Sequence, residues 1–253
     1  QVITENRPGA GSTRGAQAVA RGRPDGYTVA QLTLPAIRLP LMQRMAYDPA
    51  RDFTPILHLT GYTFTVMVRA ESPFRTWQEL VADARANRGR HRWGNTGANG
   101  TPHLTMIEIA EHLPFRGEAD ALQAVLGGHI ECSTAGTAYG QLVQDGKLRF
   151  LNCWTRTRIP RFPDVPTLLE LGYDGMVVTS PYGLVAPPGL DPAIRDVLHT
   201  GFRTALHDPQ HVATLERLDM PVEYLGPADY ARFIQETIVA EGRRIERLGL
   251  RTG

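Results

Sequence analysis

The sequence predicts an α/β protein with two lobes. Strand-like and helix-like segments alternate along almost the whole chain, which is typical of sheets covered by helices. Two long strand-like runs, residues 57–68 and 177–187, are each interrupted in mid-course by Gly, Thr, Ser or Pro. Such a pair of strands can pass from one sheet to another as a hinge. With 253 residues the chain is long enough for two lobes with cores of their own.

The first part of the chain is predicted to run from a strand through a glycine turn into a helix, and then to repeat this order. Residues 76–87 show the clearest helical pattern, because Trp77, Leu80, Val81 and Ala84 fall on one face and Thr76 precedes them as a cap. The predicted elements are strand 1–6, helix 12–22, strand 27–33, helix 36–45, strands 55–59 and 64–70, and helix 76–87.

The second part continues in the same rhythm and ends mostly in helix. The alternation of strands and helices predicts parallel sheets between layers of helices. The predicted elements are helices 102–113 and 118–128, strand 129–134, helix 138–146, strands 148–154 and 176–187, helices 191–208 and 209–219, strand 222–226 and helix 227–249.

Composition excludes several classes of function. Lys and Arg number 27 and Asp and Glu 26, so the formal net charge is +1, and the basic residues are scattered. Nothing in this pattern indicates a nucleic-acid partner. No apolar run approaches the roughly 20 residues that cross a bilayer, and the first residues are typical of a strand and not of a charged-then-apolar signal segment. Without a CxxC, an HExxH or a cluster of ligands at metal spacing, we expect neither a metal nor a cofactor.

One glycine-rich motif is best explained by local structure and not by ligand binding. Residues 7–16 ("RPGAGSTRGA") resemble a dinucleotide fingerprint only loosely, since the glycine spacing differs and the next strand ends without an acidic residue. A structural glycine turn is favoured there.

Cys132 and Cys153 lie in separate predicted strands, which indicates two buried free thiols, with a disulfide as the alternative if those strands are neighbours.

The segment from Trp93 to Leu104 ("WGNTGANGTPHL") predicts a binding loop at the start of a helix. Thr101 fits an N-cap and Pro102 the first helical position. The backbone amides from Asn99 to Leu104 are then expected to be unpaired donors, which can hold a carboxylate without a buried cation. An ordinary capped helix start explains the spacing equally well.

Side chains of the same segment supply the polar groups of such a site. His103 falls in the first helical turn, where a neutral imidazole can donate to an anion while the helix dipole disfavours a second positive charge. The alternative is an ordinary surface or packing histidine. Nucleophilic catalysis has little support, because there is no GxSxG turn and neither cysteine has His and Asn partners in a recognisable order. The side chains expected to form hydrogen bonds are those of Asn95, Thr96, Asn99 and Thr101, whereas Gly97 and Gly100 leave room for a ligand to approach the backbone.

Several stretches together resemble the Bug family, the periplasmic solute-binding receptors of tripartite tricarboxylate transporters. The resemblance runs in order from the first residues to the last helix. The stretches are "VITENRPGAGSTRGAQAVARGRPDGYTV", "YDPARDFTPI", "RWGNTGANGTPHLTM", "PFRGEADALQAVLGGHIE", "DGKLRFL", "RFPDVPTLLELGY" and "PYGLVAPPGLDPAI".

The resemblance implies a two-lobed, type II-like Venus-flytrap fold with two crossing strands. Residues 1–62 and 183–253 are then lobe 1, and residues 63–182 are lobe 2. Two departures from the family pattern stand out. The strand, loop and helix that the family usually has ahead of "VITENRPGAG" are not among residues 1–253, and the sequence has fewer residues than usual around Leu113.

The resemblance also implies a function and a site. A receptor of this family captures a small organic mono- or dicarboxylate in the cleft between its lobes and presents it to membrane transporter subunits, without covalent chemistry. We therefore expect a periplasmic monomer that is not an enzyme. The alternatives are a sensor that docks to a signalling partner and an α/β enzyme acting on a carboxylate. The residues that match the family's ligand contacts are Thr96, Gly97, Ala98, Asn99, Gly100 and Thr101 in the loop, and Thr33, Thr134 and Ser180 at strand ends.

Overall fold

The computed structural model describes residues 2–7, 9–88, 90–95, 100–106, 111–114, 118–173 and 180–250. These residues form two compact units. Unit 1 contains Gln1–Gly61, Ser180–Glu216 and Pro221–Gly253, and unit 2 contains Tyr62–Thr179 and Arg217–Met220. The α/β class predicted from the sequence is confirmed, since each unit has a sheet of its own with helices packed on it.

Unit 1 is built on a four-stranded sheet with the order β1-β8-β2-β9. Strand β1 pairs with β8 and β2 pairs with β9, and both pairs are antiparallel. The strands are β1 (Ala30–Leu32), β2 (Thr54–Tyr62), β8 (Ser180–Ala186) and β9 (Val222–Leu225). The helices are α1 (Arg14–Ala20), α2 (Leu34–Met42), α7 (Pro192–Leu206), α8 (Pro209–Arg217) and α9 (Pro227–Leu248).

The core of unit 1 joins its sheet to α1, α2 and α9. Leu32 and Val185 from the strands pack with Tyr230 and Ile234 from α9. A buried ion pair links two of the helices, because the guanidinium of Arg38 on α2 donates to the carboxylate of Glu241 on α9. Charged side chains are rarely buried unless they are paired in this way.

Unit 2 is built on a five-stranded mixed sheet with the order β5-β4-β6-β3-β7. Strand β4 runs parallel to both β5 and β6, whereas β3 is antiparallel to both β6 and β7. The strands are β3 (Phe64–Arg69), β4 (Arg92–Asn95), β5 (Glu111–Pro114), β6 (Cys132–Gly136) and β7 (Leu148–Cys153). The helices are α3 (Trp77–Ala86), α4 (Thr101–Met106), α5 (Glu118–Leu126) and α6 (Gly140–Gln144).

Apolar side chains cover both faces of this second sheet. Val66 and Cys132 face a cluster that includes Trp77 of α3, and Met67 and Cys153 face a second cluster with Val125 of α5. The two thiols therefore lie on opposite faces of the sheet, with β3 between their strands. Both cysteines are free and buried, so the reading as free thiols is confirmed and the disulfide alternative is wrong.

Helix α3 forms as the local sequence predicts. The hydroxyl of Thr76 accepts from the amide of Glu79 at 3.2 Å, and the Glu79 carboxylate accepts from the amide of Thr76 at 3.1 Å. This reciprocal capping box satisfies two of the donors that a helix start leaves unpaired. The Glu79 carboxylate also accepts from the Arg75 amide, and these backbone donors lower its pKa.

Three predicted features of the fold are wrong. Residues 2–7 have no regular secondary structure, and Val2 and Ile3 are exposed, so no strand forms at the start of the chain. The sheets are not parallel throughout, because strand direction depends on which strands become neighbours and not on local sequence. The helix predicted over 102–113 ends at Met106 among the described residues, and Glu111–Pro114 forms a strand paired with β4.

Candidate functional site

The carboxyl end of β4 directs the chain toward the predicted binding loop. Trp93, Gly94 and Asn95 are buried at this end of the strand, and α4 begins six residues after Asn95, at Thr101. Small ligands often bind where a strand with parallel neighbours leads into a helix, because the helix start supplies backbone donors. Thr96, Gly97, Ala98 and Asn99, four of the predicted contacts, lie outside the described residues.

Side chains of the neighbouring strand β6 hold the end of β4. The indole nitrogen of Trp93 donates to the hydroxyl of Thr134 at 2.7 Å. The hydroxyl of Ser133 donates to the carbonyl of Gly94 at 3.1 Å. Both hydrogen bonds are buried. The side chains of Ser133 and Thr134 lie on opposite faces of β6, because consecutive residues of a strand alternate. The strand that enters the loop is therefore fixed on two sides beyond its backbone ladder.

Thr134 lies on β6, two residues before the end of the strand. It is fully buried, and its hydroxyl already accepts the Trp93 indole. This bond holds Trp93, and with it the end of β4, against β6. Ser133 and Trp93 were missed as positioning residues, because their roles depend on the pairing of β4 with β6, which the sequence does not reveal.

The first turn of α4 begins one residue earlier than predicted. The helix starts at Thr101, so Thr101 is its first residue and Pro102 its second. The amide of Leu104 donates to the carbonyl of Gly100 at 3.1 Å, so the prediction that this amide is unpaired is wrong. Thr101 is buried and Gly100 is partly exposed.

His103 lies in the same turn and is half-buried. Burial lowers its pKa below the usual value of a histidine, because desolvation disfavours the charged ring. The imidazole is therefore neutral near pH 7, the state in which it was expected to act as a hydrogen-bonding group toward an anion.

The remaining candidates, Thr33 and Ser180, belong to unit 1. Thr33 precedes the first residue of α2, and its buried hydroxyl oxygen has no hydrogen-bond partner among the described residues. Ser180 is the first residue of β8 and is partly exposed. Since Leu32 pairs with Gly183 in antiparallel register, Thr33 and Ser180 lie toward the same end of the β1–β8 pair.

Comparison with known proteins places the chain in a family. The model of the family described as "Tripartite tricarboxylate transporter family receptor" matches residues 1–250. The chain belongs to this family. Its members and the similar solved structures are solute-binding receptors and not enzymes, and the resemblance to Bug receptors predicted from the sequence is confirmed.

Relatives and solved structures agree with this assignment. The Cupriavidus necator "UPF0065 protein in gbd 5'region" is 44% identical over 256 residues, which cover 98% of this chain and 78% of that protein. The periplasmic binding protein BugD has a TM-score of 0.89 at 25% identity, over 98% of this chain and 87% of that chain.

Two similar structures contain a carboxylate. MatC from Rhodopseudomonas palustris with bound malate has a TM-score of 0.82 at 26% identity, over 94% of this receptor and 85% of MatC. A second R. palustris protein, with adipate, has a TM-score of 0.86 at 25% identity, over 98% of this receptor and 86% of that protein.

Two further observations concern the described residues alone. None of their helices combines the length and the apolar character that crossing a membrane requires. No group of three or more His, Cys, Asp or Glu side chains in this part of the receptor is arranged to hold a metal ion.

Proposed function

We propose that this receptor captures a small organic dicarboxylate or monocarboxylate in the periplasm and delivers it to the membrane subunits of a tripartite transporter. The observation that carries the proposal is the family match over residues 1–250. The ligand class is supported by the malate and adipate in two structures that resemble this receptor over most of its length. We expect the receptor to act as a monomer.

The proposed ligand seat is the segment from Thr96 to His103, with Thr33 and Ser180 as candidate contacts in unit 1. An uncharged seat made of amides and hydroxyls can hold a carboxylate through charge-assisted hydrogen bonds of about 1.5–3 kcal/mol each. Three or four such bonds bracket the roughly 8 kcal/mol of a micromolar complex before ordering costs are subtracted. Thr134 is proposed to position the seat through Trp93 and not to contact the ligand.

Calorimetric titration of the protein, stripped of carried-over ligand by unfolding and refolding, tests the ligand class. We expect malate, adipate or a related carboxylate to release heat, and the matching diamides to give none, because a neutral amide lacks the charge that strengthens these bonds. A refolded protein that binds no carboxylate of the panel would contradict the proposal. Uptake by the transporter subunits in proteoliposomes tests the partner, and binding without any receptor-dependent uptake would contradict that part alone.

A pair of substitutions tests the supporting role of Thr134. Thr134→Ser keeps the acceptor for the Trp93 indole, whereas Thr134→Val removes it and leaves a buried donor unpaired, a loss of about 1–3 kcal/mol. We expect Thr134→Val to weaken carboxylate binding and to change Trp93 fluorescence, and Thr134→Ser to preserve both. Equal affinity in the two variants, each shown to be folded by circular dichroism, would remove Thr134 from the site.

A further inference from the structure

Two buried polar side chains of unit 1 lie near each other. His58 on β2 and Tyr230 on α9 are 3% and 0% exposed, and their ring centroids are 5.6 Å apart. The hydroxyl of Tyr230 lies against Gly183 of β8, at a place that a Cβ atom would otherwise fill. Neither Nε2 of His58 nor the hydroxyl oxygen of Tyr230 has a hydrogen-bond partner among the described residues.

The other ring nitrogen of His58 fixes the chemistry of this pair. Nδ1 lies 2.6 Å from the carbonyl oxygen of Glu223 on β9. A carbonyl only accepts hydrogen bonds, so Nδ1 must carry the hydrogen. In the neutral ring Nε2 then has a lone pair and accepts, whereas the Tyr230 hydroxyl both donates and accepts. Burial lowers the pKa of His58, which favours this neutral ring.

Leaving both atoms unsatisfied would be costly. A buried polar group without a partner destabilises the folded protein, and native proteins contain few such groups. Among the described side chains that pack with Tyr230 or His58 are Leu32, Phe233 and Ile234, and these three offer neither an acceptor nor a donor. Buried water molecules are the common means by which proteins satisfy such atoms, usually with two to four polar partners.

We propose that one internal water molecule binds between Nε2 of His58 and the hydroxyl of Tyr230. It donates to the ring nitrogen and accepts from, or donates to, the phenol oxygen. Together with the bond from Nδ1 to Glu223, this water completes a hydrogen-bonded chain from β9 through β2 to α9. The proposal does not depend on the identity of the carboxylate that the receptor binds.

A double-mutant cycle on the whole chain tests this site. In the native background, Tyr230→Phe removes one of the two protein groups that hold the proposed water beside Nε2 of His58. We expect the folding equilibrium constant from urea unfolding to fall about tenfold. In the His58→Phe background the same substitution should change it less than twofold, because the hydroxyl no longer takes part in a bridge. An equal loss in both backgrounds, or no loss in the native one, would overturn the proposal.

Tyr47 provides the matched control for this cycle. It is a buried tyrosine of the same unit, and its hydroxyl donates to the carbonyl of Ala36 at 2.6 Å. Tyr47→Phe should therefore lower the folding equilibrium constant by the same factor whether residue 58 is His or Phe. Coupling of Tyr47 to His58 as strong as that of Tyr230 would show that the cycle reports general loosening of unit 1, and the water site would lose its support.

A measurement on the unsubstituted protein keeps the proposal testable if a variant does not fold. A crystal structure that resolves ordered water should show one oxygen within hydrogen-bond distance of both atoms. The ¹⁵N spectrum of the His58 ring should show protonated Nδ1 and a hydrogen-bonded Nε2. A direct bond between the tyrosine hydroxyl and Nε2, with no water between them, would refute the water site.

Discussion

His58 is a residue at which the state of a single proton affects the stability of unit 1. Burial lowers its pKa below that of the unfolded chain, and the bond from Nδ1 to Glu223 only partly opposes this effect. Between the lowered native pKa and the usual value of about 6.5, the unfolded chain therefore binds more protons than the native state. Stability is fully present above this window and is lost as pH falls through it.

This sign leads to a prediction that His58→Phe can test. The free energy of unfolding of the native protein should fall by at most about 1.4 kcal/mol per pH unit for this residue as the medium is acidified below pH ~6.5. The variant should lose that part of the slope. The exposed His211 is the control, since His211→Gln should keep the native slope. Urea unfolding at a series of pH values provides the measurement.

The effects of two other titratable groups must be separated from that of His58. His103 in unit 2 also has a pKa lowered by burial and contributes in the same direction. The carboxyl of Glu223 has a pKa raised by burial, so it acts with the opposite sign at lower pH. The test therefore uses the difference in the free energy of unfolding between the native protein and His58→Phe at each pH. Curves that run parallel from pH ~7 down to ~5 would exclude a role for His58.

At the scale of single residues, the sequence revealed polar side chains but not their partners. The prediction of Thr134 rested on its place near a strand end, and the structure gives its hydroxyl to Trp93. Arg38, on a helix with no obvious charged partner nearby in sequence, pairs with Glu241 more than 200 positions later. Contacts of this kind depend on which elements pack together, so no local pattern indicates them.

The buried pair between α2 and α9 gives the prediction at the scale of elements. The side chains of Arg38 and Glu241 are 0% and 9% exposed. Arg38→Met would leave the carboxylate without its partner, and we expect a loss of about 3–5 kcal/mol in the free energy of unfolding. Replacing both residues, by Arg38→Met with Glu241→Leu, should restore much of it, because no buried charge then remains. Urea unfolding of the three proteins measures these differences.

A second ion pair on α9 supplies the control. Arg232 and Asp229 are 68% and 55% exposed, and such surface pairs contribute at most about 1 kcal/mol. Arg232→Met should therefore change stability far less than Arg38→Met. Similar losses in the two variants would show that burial does not set the strength of the Arg38 pair.

Elements were predicted best where their causes are local. The capping box and apolar face of α3 lie within about a dozen residues, and the helix begins and ends as predicted to within one residue. The first residues have a strand-like composition, but a strand needs a neighbour, and the described chain gives residues 2–7 none. The prediction of parallel sheets was wrong for the same reason, since the antiparallel pairs β1–β8 and β2–β9 join segments far apart in the sequence.

At the scale of the whole molecule, the distribution of tryptophan makes the two units separately observable. All three tryptophans, Trp77, Trp93 and Trp154, belong to one apolar cluster of unit 2. Fluorescence therefore follows the unfolding of unit 2, whereas far-ultraviolet circular dichroism follows the helices and strands of both units. Each unit has its own sheet and core, so the two signals need not change together.

Comparing the fluorescence and circular dichroism transitions with and without ligand tests which unit holds the carboxylate. A ligand that binds only the native state adds about 2.7 kcal/mol of stability at one hundred times its Kd. If the seat lies at the end of β4 and the start of α4, a saturating carboxylate such as malate should raise the fluorescence-detected midpoint of thermal unfolding. Because Thr33 and Ser180 are candidate contacts in unit 1, the circular dichroism transition should rise as well. A rise in the circular dichroism signal with an unchanged fluorescence midpoint would place the ligand on unit 1 alone and would exclude the loop before α4 as its seat.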